Sequence, residues 1–117
     1  MVGRSGRTAG LAWALQRLSA LLLVAGLVVH FLVLHFTIER PVTFVKVQAR
    51  LASPAWIAFD LALLALVLYH GLNGVYGVVL DYAPGATAKR GWYWVLWVLG
   101  IVAFALGVVV LAPFGRR

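Results

Sequence analysis

The chain has 117 residues, enough for one domain (residues 1–117); 64% of them are hydrophobic and only 11% charged. Soluble domains average about 45–50% apolar and about 25% charged, so an ordinary water-soluble fold is excluded and a membrane protein is left. The net charge of +7 does not indicate nucleic acid, because the basic residues flank apolar runs where they meet lipid phosphate; the lack of cysteine excludes disulfides, thiolate-held iron–sulfur clusters and C-x-x-C-H haem attachment in this chain.

In chain order, the first apolar run is Leu18 to Phe36, without a formal charge. It is too long for a signal-peptide core and no A-x-A-like cleavage site follows it, so it reads as a retained helix. The link from Thr37 to Pro54 carries Glu39, Arg40, Pro41, Lys46 and Arg50, and a small interfacial helix is expected around Val42 to Leu51. The second run, Ala55 to Leu80, contains one acid near its start, Asp60. A short link with Pro84, Gly85, Lys89 and Arg90 leads to the third run, Trp92 to Ala112, which Pro113 and Gly115 end.

About 20 apolar residues in a helix cross the roughly 30 Å hydrocarbon core, and lipid leaves no unpaired backbone satisfied. The expected fold is therefore all-α, with three transmembrane helices at about 18–36, 55–80 and 92–112 in an up-down-up bundle. Trp13, Trp56 and the Trp92–Tyr93–Trp94 cluster sit at helix ends, as an interfacial aromatic belt requires. Orientation is not set by charge. Arg4, Arg7, Arg17, Lys89 and Arg90 on one side balance Arg40, Lys46, Arg50, Arg116 and Arg117 on the other.

The second run carries the chemistry. His70, Gly74, Gly77 and Asp81 recur at i, i+4, i+7 and i+11, one face of a helix, with Asn73 beside them. An imidazole in hydrocarbon needs a partner. Two readings stay open: an axial ligand to haem iron, with small residues making room for a flat macrocycle, or a hydrogen-bonded histidine in a small-residue helix interface. Asp81 and Tyr82, about 17 Å further along the axis, fall where the membrane ends. They suit either proton exchange with a carbonyl substrate such as a quinone or an ordinary interfacial helix end.

The first helix runs antiparallel to the second. Counting from its start places Arg17 level with Asp81 and Tyr82, where it would pair with haem propionates, a quinone oxygen or lipid phosphate. Ser19, Leu23, Gly26 and His30 share a face, and Ser19 joins the candidate cofactor-binding set. The same count places His30 near the depth of His70, so that two histidines of one chain would sandwich a haem in a self-contained cytochrome b. His35 is expected at the far interface, and Asp60 at the polar boundary.

The stretch HGLNGVYGVVLDYAP, His70 to Pro84, resembles the H-x(10)-D-Y signature of the small hydrophobic membrane-anchor subunit of succinate dehydrogenase (Complex II). WALQRLSA, Trp13 to Ala20, is similar to the opening of that anchor's first helix. The resemblance implies haem b as a cofactor with His70 as axial ligand to its iron, the other ligand coming from a sister anchor subunit. It implies Tyr82 and Asp81 at a ubiquinone or menaquinone, and Arg17 near the haem propionates and the quinone. It further implies flavoprotein and iron–sulfur partner subunits, and residence in the cytoplasmic (inner) membrane with the N-terminus cytoplasmic. The rival is a haem-free helical module, such as a small transporter or an assembly subunit. Alone, the chain is expected to catalyse nothing.

Overall fold

The computed structural model describes residues 6–82 and 85–116; Arg4, Pro84 and Arg117, named above, lie outside the described residues. The elements are α1 (Gly6–Phe36), α2 (Phe44–Leu51), α3 (Pro54–Asp81) and α4 (Ala86–Leu111), followed by a short 3-10 helix, Ala112–Arg116. Three helices are long and apolar enough to cross a membrane: α1, α3, and α4 with its 3-10 extension. The all-α, three-span expectation holds, and no strand occurs among the described residues.

The helix ends follow from local chemistry. Ser53 caps α3 with extended backbone, and Pro54 follows at the first helical position, where its missing N–H is not needed. Thr43 caps α2 by accepting a hydrogen bond from the Lys46 amide at 3.4 Å. This is the interfacial helix expected from the sequence. Phe44, Val47 and Leu51 recur on one side of it at i, i+3 and i+7. Leu51 is buried, and Phe44 packs edge-on against Phe114 of the 3-10 helix at 6.2 Å.

The first helix differs from expectation at its start. It begins at Gly6, well before the apolar run at Leu18. Arg7 and Arg17 do not end it, because a long cationic side chain reaches polar surroundings while the backbone stays helical.

The three long helices form an open layer, 52 × 25 × 23 Å overall. The middle helix, α3, packs against α1 on one side and α4 on the other, whereas α1 and α4 scarcely meet. Glycines set the close contacts. A Cβ at Gly26 would come within 2.9 Å of Leu63 Cδ1, and one at Gly100 within 2.9 Å of Leu72 Cδ1. At Gly107 it would overlap Leu64 Cδ2. The core is correspondingly small, with Ile57, Leu63, Tyr76 and Leu96 buried and most other large apolar side chains exposed. Such surfaces suit lipid or other subunits.

Candidate functional site

A polar cluster joins α1 to α3 inside the membrane. The Ser19 hydroxyl donates to the Gln16 carbonyl at 3.0 Å and lies 3.2 Å from Nδ1 of His70. Gln16 Nε2 donates to the His70 carbonyl at 3.3 Å, and its Oε1 accepts from Asn73 Nδ2 at 2.7 Å. Ser19 is only 5% exposed, the one buried polar residue among those described. Each residue of the cluster thus has a partner, as a span in hydrocarbon requires.

The pairing orients the imidazole. Ser19 has a single hydroxyl hydrogen, and the Gln16 carbonyl and His70 Nδ1 both lie within its reach. When that hydrogen goes to the carbonyl, the contact with His70 is an Nδ1–H donating to Ser19 Oγ. In the neutral ring, Nε2 then carries the free lone pair, and no hydrogen bond to it occurs among the described residues. A neutral histidine held by one nitrogen and open at the other has the form of a metal-ligating imidazole with its outer partner in place.

The glycines after His70 play a different part from those that pack the helices. A Cβ at Gly71 or Gly77 would meet nothing within 4 Å, and one at Gly74 would sit 3.8 Å from Gln16 Nε2. The close approaches inside the chain use Gly26, Gly100, Gly107 and Gly115 instead. The space is open at Gly71 and Gly77, while Gln16 of α1 covers Gly74.

The cluster also fixes the register of α1 against α3, and this corrects three expectations. Ser19 faces His70, Gln16 faces Asn73, and Gly26 faces Leu63. Arg17 is therefore level with Leu72 and Asn73, about 12 Å short of Asp81 at 1.5 Å per residue. Its guanidinium lies 5.4 Å over the Trp13 ring, one turn nearer the helix start. The same register carries His30 past His70 by about ten residues, roughly 15 Å. A haem held between His30 and His70 of one chain is excluded by that offset. Ser19, Gly26 and His30 do share a face, and that face meets α3.

His30 instead meets Asp60, its Nδ1 3.3 Å from Oδ1. Arg50, at the end of α2, clamps the same carboxylate through Nη1 to Oδ2 at 2.8 Å and Nη2 to Oδ1 at 3.1 Å. The side chains of Arg50 and Asp60 are 8% and 13% exposed, so the pair is shielded from water where the interfacial α2 meets α3. Arg50 also stacks over Trp56 at 4.9 Å. The histidine contact is a proximity, not an aligned hydrogen bond: His30 Nδ1 and Arg50 Nε both lack a hydrogen-bond partner. The bidentate arginine carries the cluster.

At the other end of α3, Asp81 is the last helical residue and Tyr82 the cap, 85% exposed. Both are accessible where the helix leaves the membrane. Arg7, Arg17, Lys89 and Arg90 lie toward this end, making it cationic among the described residues. His35 lies at the far interface, stacked on Phe31 at 5.3 Å, its Nδ1 accepting from Arg40 Nη2 at 3.0 Å.

Two members of the cluster were not singled out from the sequence as site residues. Gln16 is an amide one turn before Ser19 at the edge of an apolar run, and Asn73 lies three residues after His70. Polar groups at helical spacing in two apolar spans were the available signal.

An open layer of membrane-length helices, its middle member holding a serine-paired imidazole at depth, defines a polytopic helical component of an integral-membrane complex. The chain matches over residues 3–110 and belongs to the family of succinate dehydrogenase/fumarate reductase transmembrane subunits. It is 32% identical to the succinate dehydrogenase hydrophobic membrane anchor subunit of Thermoplasma acidophilum, over 86% of this chain and 83% of the relative. It is 30% identical to the protein of the same name from Archaeoglobus fulgidus, over 86% of each chain. The succinate dehydrogenase 2 membrane subunit SdhC of Mycobacterium tuberculosis is 31% identical, over 85% of this chain and 74% of the relative.

Proposed function

We propose that this chain, with a sister anchor subunit, fastens the flavoprotein and iron–sulfur subunits of a succinate dehydrogenase to the cytoplasmic membrane. In this reading it holds haem b through His70 and contributes Tyr82 and Asp81 to a quinone pocket, its N-terminus on the cytoplasmic side. The names of the relatives support the anchor role. The Ser19–His70 contact is the observation that carries the haem role.

The residues present fit the group. Haem iron takes a neutral imidazole nitrogen, and His70 offers Nε2 with Nδ1 already bound. A macrocycle lying against α3 needs small neighbours, and Gly71 and Gly77 leave that room. Haem b, when bound, supplies one-electron redox capacity near the quinone. Ser19 engages the ring at Nδ1, Gln16 holds the His70 backbone carbonyl, and Asn73 holds Gln16. Arg17, close in level to His70 and short of Asp81, belongs with the haem propionates more than with the quinone.

At the membrane surface, the Tyr82 hydroxyl donates to a quinone carbonyl oxygen and orients it. Asp81 beside it takes protons from water and passes them inward as the carbonyl oxygens are reduced. The cationic surroundings favour the charge that develops there. Succinate itself is handled on other subunits.

The purified complex tests the reading. A haem-b spectrum that vanishes in His70→Ala, with the complex still assembled, supports it; no haem in the unaltered complex returns the chain to a haem-free anchor. Tyr82→Phe lowers quinone reduction and leaves the haem spectrum unchanged. Full turnover in that variant removes Tyr82 from the pocket.

A further inference from the structure

The face of α3 turned away from the His70 seam forms a second feature. Between α3 and α4 lies a groove of about 450 Å³, lined by Tyr69, Leu72, Tyr76, Tyr93, Trp97 and Phe104 among others. This is within the roughly 300–1,000 Å³ of small-molecule sites. Tyr76 and Tyr93 meet edge-on across its upper end at 5.8 Å, and Trp97 continues the wall 6.3 Å from Tyr93. The lining runs from Tyr76 down to Ala65 on α3. At 1.5 Å per residue that is about 16 Å, close to half of a hydrocarbon core about 30 Å thick. The groove therefore has the length of one leaflet.

Its mouth is cationic. Lys89 and Arg90 stand in the first turns of α4, just above Tyr93. Arg90, Trp97, Ile101 and Phe104 recur at i, i+7, i+11 and i+14, so the cation and the groove wall share one face of α4. Neither basic side chain has an ion pair or hydrogen bond among the described residues. Rotating by about 100° per residue, Leu68, Leu72 and Tyr76 fall roughly 160–240° round α3 from His70, with Tyr69 about 100° and Asn73 about 60° from it at the groove's near edge, whereas Gly74 and Gly77 lie within about 40° of it. A sister anchor that shares a group on His70 approaches the seam, which leaves the groove toward lipid.

We propose that this groove binds one anionic phospholipid, its acyl chain along Tyr76, Trp97 and Phe104 and its phosphate on Lys89 and Arg90. A one-leaflet apolar channel under paired cations matches a phospholipid in both parts. Tyr76 and Tyr93 stand at the level where chain gives way to headgroup, a position that amphipathic rings favour. A quinone tail has the apolar part without the anion.

The test places the whole complex in phosphatidylcholine vesicles doped with a phosphatidylglycerol bearing a diazirine in its acyl chain. Illumination should label peptides that contain Tyr76 and Trp97. The Lys89→Gln/Arg90→Gln variant, altered only at the mouth, should lower that labelling by about tenfold, since each cation near an anionic lipid favours binding. Labelling by a diazirine phosphatidylcholine should not change. Ala105→Phe, which fills the groove and leaves the cations, should also lose the label while the complex stays assembled on a native gel. Equal labelling in the charge variant overturns the proposal. So does a photoreactive side chain at position 97 that captures another protein chain or a quinone in place of lipid.

Discussion

Ser19 stands 3.2 Å from Nδ1 of His70 across the α1–α3 interface and 3.0 Å from the Gln16 carbonyl. One hydroxyl thereby engages Nδ1 and leaves Nε2 without a hydrogen bond among the described residues. It also ties the depth of α1 to that of α3, since a slide of one helical turn would separate the pair.

Ser19→Ala removes the acceptor for Nδ1–H and leaves a buried donor unpaired. The chain should still insert, because a single hydrogen bond between membrane helices contributes only about 0.6 kcal/mol on average. Haem affinity should fall by roughly 10- to 100-fold, as loss of an outer partner does at metal sites. The midpoint potential of haem that remains should rise, because a ligand that no longer donates its N–H is less basic. Ser19→Thr should restore both. Haem titration with potentiometry reads this; wild-type affinity and potential in the alanine variant would show the hydroxyl to be idle.

The Arg50–Asp60 pair makes a stability prediction. Arg50→Ala leaves the Asp60 carboxylate, 13% exposed, with only the unaligned His30 ring, and should destabilise the chain by about 3–5 kcal/mol. Arg50→Leu combined with Asp60→Leu should recover most of that loss, because no uncompensated charge is left buried. His30→Ala should leave haem binding intact, since His30 sits about ten residues, roughly 15 Å, from the level of His70. Unfolding in mixed detergents and the haem spectrum measure the two effects. Haem loss in His30→Ala would contradict the register.

That register was the part of the fold least legible in the sequence. The spans could be read from apolar length, and α2 from its alternation of Phe44, Val47 and Leu51 with Lys46 and Arg50 between Thr43 and Pro54. Depth was counted from Arg17 as if a charge marked the helix start, yet α1 continues to Gly6. The miscount moved Arg17 to the Asp81 end and His30 to the level of His70. It also hid the Asp60 cluster, whose three members come from three elements and meet only once the helices are aligned. The histidine itself was legible, because an imidazole in an apolar span must find a partner. Which partner it finds depends on the same alignment.

The glycines give the sharpest separation between packing and binding. A side chain at Gly107 would run into Leu64, and one at Gly100 into Leu72, so Gly107→Val should weaken α3–α4 packing by about 1–3 kcal/mol and lower the yield of assembled complex. Gly77 has open space around it. Gly77→Leu should therefore leave the chain's own packing and thermal stability near wild type while displacing a group held on His70. The haem-to-protein ratio of the purified complex, measured beside its melting temperature, distinguishes the two. If Gly77→Leu keeps full haem, the seam does not face the macrocycle. If it instead destabilises the chain as Gly107→Val does, the seam belongs to helix packing, and the role of His70 shrinks to its hydrogen bond with Ser19.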